Sequence, residues 1–484
     1  MASKSAKYRF SDHFGINKPQ SQLDFVDIPL NTDVRLYVDP YALSVSGDDW
    51  LRECGHIVVS FFDHFLQVLR ENDEPKAMRV IANFHEPNDT HLGMSRGKPS
   101  GRGWGRRQSR MLFERLSRSA AVRSGKLKDL TDVELLIPGI ANDKISDLTT
   151  NVLRGEFVAY TEEQCQLFKI PTEKINSGPY WDFGLENWTS KYANLPVYDN
   201  QRILLVPKAA VRARLIPDHE DYYNRFVLDF LGAEHLRAND ALVTLLKNGD
   251  PKVYRKDLKN KYSSSKEFLF EFSIKHPEVL ANYKKSLRKM GAPLTPSAIE
   301  ERQRTPRSLI EAGELTLDQI PAGSAHASAY HSCIVGILTE IFYPWLTHPT
   351  KEQEVNEGRK RIDIVFSNSA SDGFFSRLVN MHKIHCPYVN IECKNYSEDP
   401  ANPELDQLIG RFSRKRGKFG ILVCRKIDNR PLLLKRLKDV VNDTDGAIIV
   451  LDDSDVNTLT SLKRAGEDQK VNEYLEASLK QILV

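Results

Sequence analysis

The chain has 484 residues, 40% of them hydrophobic and 27% charged, with a mean hydropathy of -0.44; this is the balance of an ordinary soluble protein and excludes a disordered or membrane-embedded one. No apolar run approaches the roughly 20 residues that span a bilayer, the start Met1-Ala-Ser-Lys lacks the apolar stretch of a secretory signal, and six scattered cysteines form no paired framework, so a cytoplasmic location is expected. A formal charge of +3 is too small to imply a nucleic-acid partner by itself, so any electrostatic argument rests on where the charges lie.

At about 150 residues per domain, two to four domains are expected. Residues 1–175 read as a mixed α/β region. Within it Val34–Asp39 alternates like a strand, Trp50–Leu69 has the spacing of a helix that buries Val58, Phe61, Phe62 and Phe65, and Ala77–Phe84 is a further short element. Gly93–Gly105 is a glycine-rich loop carrying Trp104, and a helix is expected over Arg106–Val122. Arg102, Arg106 and Arg107 belong to a cluster of bases between Ser95 and Lys128 that is interrupted by a single acid, Glu114. Such a cluster with an aromatic suits phosphate contact and base stacking, whereas the bland alternative is a solvated loop. Asn142–Cys165 reads as helical, with Asp143 and Asp147 on one face, and Arg202–Pro207 as a buried strand. Residues 176–291 read as mostly helical, and the proline-bearing stretch 292–326 as a linker.

From residue 327 the pattern becomes regular. Ala327–Tyr343 is a helix with Glu340 near the edge of its apolar stripe; strands follow at Ile362–Phe366 and Tyr388–Lys394. Asn402-Pro403 opens a helix, with asparagine as the expected cap, that carries Leu405 and Leu408 on one side and Glu404, Gln407, Arg411 and Arg414 on the other. Phe419–Cys424, Leu432–Val441 and Ala447–Leu451 complete an order of helix, strands, helix, strand, helix, strand. That order predicts an α/β unit over 327–484, with a mixed sheet flanked by helices.

Period-two alternation places Val389, Ile391 and Cys393 on one face of the third of these elements, and Asn390, Glu392 and Lys394 on the other. An E-x-K in a strand is usually a solvated face. Here Asp363 precedes it in an apolar run, and Gln407 follows it on a helix. This combination resembles the PD-(D/E)xK nuclease superfamily, the fold of many restriction endonucleases, over residues from Ala327 to about Leu451. Ile362 stands where the proline of that name would be.

The resemblance implies a restriction-endonuclease-like fold and a site of Asp363, Glu392 and Lys394, joined by Gln407 and by a helical acid, Glu340, with Glu354 and Glu357 as alternatives for the last. Asp363, Glu392 and Glu340 would hold Mg²⁺, or Mn²⁺, because hard oxygen donors select such ions. The expected activity is a metal-dependent endonuclease acting on DNA, with RNA left open, in prokaryotic restriction or anti-phage defence; the alternatives are a repair or junction-resolving nuclease, or a silent nucleic-acid-binding protein. Arg411, Arg414 and Lys415 are expected at backbone phosphates together with Arg102, Arg106 and Arg107. A homo-oligomer is expected, since cutting both strands symmetrically needs two sites, with a protein encoded alongside as a further partner.

Overall fold

Residues 9–93, 142–215, 217–290, 292–303, 316–351 and 364–483, with short stretches between 110 and 136, are described by a computed structural model. The strongest periodicity of the first half gives helix α1, Asp49–Glu71. It starts where the Asp48 carboxylate accepts from the Leu51 N–H at 2.8 Å, and it ends at Asn72, which takes the left-handed conformation that stops a helix. Its apolar face buries Val58, Phe61, Phe62 and Phe65 against Phe84, Trp181 and Trp188.

Elsewhere local pattern and structure part. The predicted strand 34–39 contracts to Tyr37–Val38, paired with Val211–Arg212. The single helix expected over 142–165 is two, Asn142–Val152 and α2, Arg154–Phe168. Ile203–Val206 are buried as expected but lie outside any strand, their backbone satisfied one residue at a time by Pro196, Asp89 and Val26. Two antiparallel pairs, Glu173–Asn176 with Tyr192–Leu195 and, between them in the chain, the hairpin Tyr180–Asp182 with Asn187–Thr189, have no counterpart in the sequence reading, because their strands are half polar and only three or four residues long.

One core joins residues of the first region, such as Phe61 and Phe157, to Leu269, Tyr283 and Leu287 of the helical middle region, so no core boundary falls near residue 175. Part of the expected linker is built into this body. Helix α3, Pro296–Gln303, buries Ile299, and the Gln303 side-chain amide donates to Gln20 Oε1 and to the Asp27 carbonyl, both at 2.9 Å.

A second core surrounds a five-stranded sheet: β1 Leu346–Lys351, β2 Ile364–Asn368, β3 Tyr388–Lys394, β4 Phe419–Cys424 and β5 Ala447–Asp452, in that spatial order. β2 runs antiparallel to both its neighbours, β1 and β3, and β3, β4 and β5 run parallel. The parallel strands are connected through helices, as parallel pairing requires. These and the flanking helices are α4 Ala327–Phe342, α5 Gly373–Asn380, α6 Asn402–Ile409, α7 Arg430–Thr444, α8 Asp453–Arg464 and α9 Asp468–Leu483. Leu317 and Ile320, just upstream of α4, pack into this second core as well.

β1 is the edge of the sheet, and the N-terminal body covers it. Thr347 Oγ1 donates to Asp48 Oδ2 at 2.6 Å, and the His348 N–H to Asp24 Oδ1 at 3.2 Å. The Gln164 side-chain amide reaches the Pro349 carbonyl at 3.1 Å, and the His348 ring pairs with Glu163 at 2.7 Å. Two backbone groups of this edge, the His348 N–H and the Pro349 carbonyl, are thereby partnered by the N-terminal body instead of being left open for another strand. No helix among the described residues is long and apolar enough to cross a membrane.

Candidate functional site

The site grows from β3. Its alternation sets Asn390, Glu392 and Lys394 on one face, and α6 packs over that face. α6 can approach because Gly420 of β4, paired with Asn390, has no side chain; a Cβ there would meet Leu408 Cδ2 at 3.3 Å. Once seated, α6 brings Gln407 over the strand, where Lys394 Nζ donates to Gln407 Oε1 at 2.8 Å and to Glu392 Oε1 at 2.5 Å. Arg411 Nη1 lies 3.3 Å from the other carboxylate oxygen of Glu392. The Glu392 and Lys394 side chains are each 2% exposed. Two cations therefore enclose one carboxylate in a buried setting where each charge depends on its partners.

The end of β3 is fixed from a second direction. Asn395 donates to the Pro321 and Gly323 carbonyls at 3.1 and 2.9 Å, and its own carbonyl accepts from Gly323 N–H at 2.6 Å. Residues 321–323 thus clamp the strand just beyond Lys394.

α6 differs from expectation at both ends. Asn402 is its first residue and supplies no side-chain cap; instead the Glu404 carboxylate accepts from the Ala401 N–H at 2.9 Å. Burial works against the charge on Glu404. The Tyr396 hydroxyl, nearby backbone N–H groups and the Lys394 ammonium outweigh burial and hold its carboxyl below the usual glutamate range. Glu404 therefore belongs to the electrostatic surroundings of Lys394, a role not assigned to it from sequence. The helix stops at Ile409, where Arg411 and Phe412 turn back to the Leu408 and Ile409 carbonyls. Arg411 consequently points under the turn and is buried, while Arg414 and Lys415 are exposed on a tight loop closed by Ser413 and Gly417. The sequence placed Arg411 and Arg414 on one helix face with Lys415 on or beside it, and the early helix stop separates Arg411 from the other two.

Glu340 goes elsewhere. Its carboxylate accepts from Arg464 Nε and Nη2 of α8 at 2.8 and 3.0 Å and from Gln22 Nε2 of the N-terminal body at 3.2 Å. Tyr330, ten residues earlier on α4, is the residue near the C-terminal ends of β3 and β4; it bonds Asp453 at 2.8 Å. Ten residues of helix place Glu340 about 15 Å further along the axis.

Asp363, Glu354 and Glu357 lie outside the described residues, as do Arg102, Arg106 and Arg107. The chain neighbour of Asp363, Ile364, pairs with Ile391, the neighbour of Glu392. Of the sequence-predicted residues, then, Glu392, Lys394, Gln407 and Arg411 converge, and Glu340, Arg414 and Lys415 stand apart from that contact.

Asn390 completes the inventory. It is 1% exposed, and neither atom of its side-chain amide has a hydrogen-bond partner among the described residues. Leaving a buried amide unsatisfied costs about 1–3 kcal/mol. The donors on this face of β3, the Glu392 carboxylate and the Asn390 amide oxygen, are all hard oxygens, which fits Mg²⁺ or Mn²⁺ and not a thiophilic ion. Among the described residues no group of three or more His, Cys, Asp or Glu side chains gathers to hold a metal ion. A cavity of about 930 Å³ lies elsewhere, between Ser44–Gly47, Ser369–Gly373 and Asp468–Asn472, and none of the predicted site residues lines it.

Residues 15–216 match a domain of unknown function, DUF8370. The matched stretch contains Asp24, Asp48, Glu163 and Gln164, which hold β1, and ends well before the sheet. No curated protein and no solved structure matches the chain.

Proposed function

We propose that the C-terminal unit is a metal-dependent phosphodiester hydrolase of the PD-(D/E)xK kind, acting on nucleic acid, with DNA favoured by the resemblance. The observation that carries the reading is the contact of Lys394 with both Glu392 and Gln407 beneath α6. Residues 13 positions apart meet as an E-x-K and a helical glutamine do in that superfamily. The order of strands supports it too: three antiparallel strands, then a helix leading to parallel partners.

In this reading Glu392 and Asp363 hold the cation, which when bound neutralises phosphate oxygens and acidifies a water. Lys394, held between Glu392 and Gln407, would orient the attacking water and offset charge developing on the phosphate. Gln407 fixes the direction of the ammonium, and Arg411 offers a buried guanidinium to a phosphate oxygen. Arg414, Lys415 and the basic cluster around Arg102, Arg106 and Arg107 would track the backbone. Restriction or anti-phage defence is the setting this reading favours, with the N-terminal body positioning or restraining the catalytic unit through β1.

One observation favours a second reading, a binding protein with a silent nuclease scaffold: Glu392 is already balanced by Lys394 and Arg411. Cleavage of plasmid, linear and branched DNA and of RNA in Mg²⁺ or Mn²⁺, with wild type beside Glu392→Gln, separates the two. Metal-dependent cutting lost in Glu392→Gln is expected; an inert wild type that still binds nucleic acid selects the silent scaffold.

A further inference from the structure

Asn390 is the residue of this site that the fold does not explain. It lies between Val365 of β2 and Gly420 of β4, with Leu408 of α6 packed at Gly420. An apolar side chain would suit those neighbours. A buried amide with no partner is disfavoured unless something reaches it. It shares a strand face with Glu392 two residues on, so the two side chains leave the sheet in the same direction from Cα atoms roughly 7 Å apart. An octahedral ion with oxygen ligands at about 2.1 Å takes neighbouring donors about 3 Å apart, a gap that an asparagine and a longer glutamate can close from that spacing. Glu340, the helical acid expected to complete the site, is occupied by Arg464 and Gln22.

We infer that Asn390 supplies an oxygen ligand to the divalent cation held by Glu392, in the place sequence reasoning gave to Glu340. This rests on the hydrolase reading above and goes beyond it by assigning the residue.

The test is Mn²⁺ binding to the full chain, followed by calorimetric titration and by melting temperature with and without the ion, in wild type, Asn390→Leu, Asn390→Asp and Glu392→Gln. Asn390→Leu is expected to bind Mn²⁺ at least tenfold more weakly while melting no lower than wild type in the absence of metal, since it removes an idle amide from a core. Asn390→Asp is expected to melt lower without metal, because a second carboxylate then faces Glu392, and to gain a larger Mn²⁺-induced rise than wild type. Binding by Asn390→Leu within twofold of wild type overturns the inference, as does an equal Mn²⁺-induced rise in Asn390→Asp; the latter decides the matter should the leucine variant not fold. In either case a wild type that binds Mn²⁺ and loses it in Glu392→Gln leaves the hydrolase reading intact. A wild type that binds no Mn²⁺ removes both.

Discussion

The contact between Lys394 and Glu392 makes a prediction that can be worked from distances. At an effective dielectric of about 20, unit charges at the Lys394–Glu392 separation of 2.5 Å attract by roughly 7 kcal/mol, and at the Arg411–Glu392 separation of 3.3 Å by roughly 5 kcal/mol. Most of this gross attraction offsets the cost of taking three ions out of water. In Lys394→Met the Glu392 carboxylate keeps Arg411, so the loss falls at the low end of the range for breaking a buried pair, about 3 kcal/mol. In Glu392→Gln two buried cations lose their anion, and about 4 to 5 kcal/mol is expected. The double variant leaves only Arg411 without a counter-charge, so its cost should fall short of the sum by about 2 kcal/mol. Calorimetry of the full chain reads this as a fall of about 6–12 °C in the transition of the C-terminal unit for Lys394→Met. Because the pair is buried, the coupling should persist in 0.5 M salt. Under the hydrolase reading the same variant loses at least about 100-fold in cleavage while retaining DNA binding. Melting within about 2 °C of wild type, or strict additivity of the two substitutions, would refute the reasoning.

The remaining predictions concern the N-terminal body and its hold on the sheet. Burial, against hydrogen bonds from the Ser11 N–H and hydroxyl, raises the Asp27 carboxyl to about 6. The folded state then binds more protons than the unfolded one between about pH 4 and 6, so Asp27 makes stability fall by about 3 kcal/mol as pH rises through that window. Asp27→Asn should flatten this part of the stability profile, and an unchanged slope in denaturant titrations would count against it. Burial also works against charge on His348, but the Glu163 hydrogen bond and the carboxylates of Glu163, Asp24 and Asp48 outweigh it and raise the imidazole pKa. The stabilisation is complete below the ordinary value of about 6.5 and is lost as pH rises through the raised one. Glu163→Gln should move the loss of hydrogen-exchange protection in β1 to lower pH, once intrinsic rates are corrected, and superimposable profiles would remove His348 from the interface energetics. Glu340→Gln should leave cleavage within about threefold and cost no more than about 1 kcal/mol, since Arg464 is half exposed; a loss beyond 100-fold would return Glu340 to the metal.

How much of this was legible in advance depended on the range of the interaction. β3 and β4 have the bounds read from the sequence, and α4 and β5 differ by one residue, because apolar and β-branched runs of that length report burial directly. The facing of Glu392 and Lys394 also followed from the two-residue period of a strand. β1 was not legible. Its His348-Pro349 step, with His348 in the left-handed region and a register shift between Thr347 and Thr350, breaks the alternation that marks a strand. The early stop of α6 was hidden for a similar reason, since the bases of residues 411–416 continue the helical polarity past the point where the chain turns.

What the amino-acid sequence determined by itself was which residues share a face: Asn390 with Glu392 and Lys394, and Glu404 with Gln407. What only the tertiary structure decided was which faces meet. Gln407 and Arg411 close on Glu392 and Lys394, Glu340 turns to Arg464 and Gln22, and residues of the DUF8370-like stretch reach across to β1. The physical reason is that periodicity is fixed by the geometry of one element. The partner of a buried charge is chosen by desolvation, which acts only when distant segments are packed together.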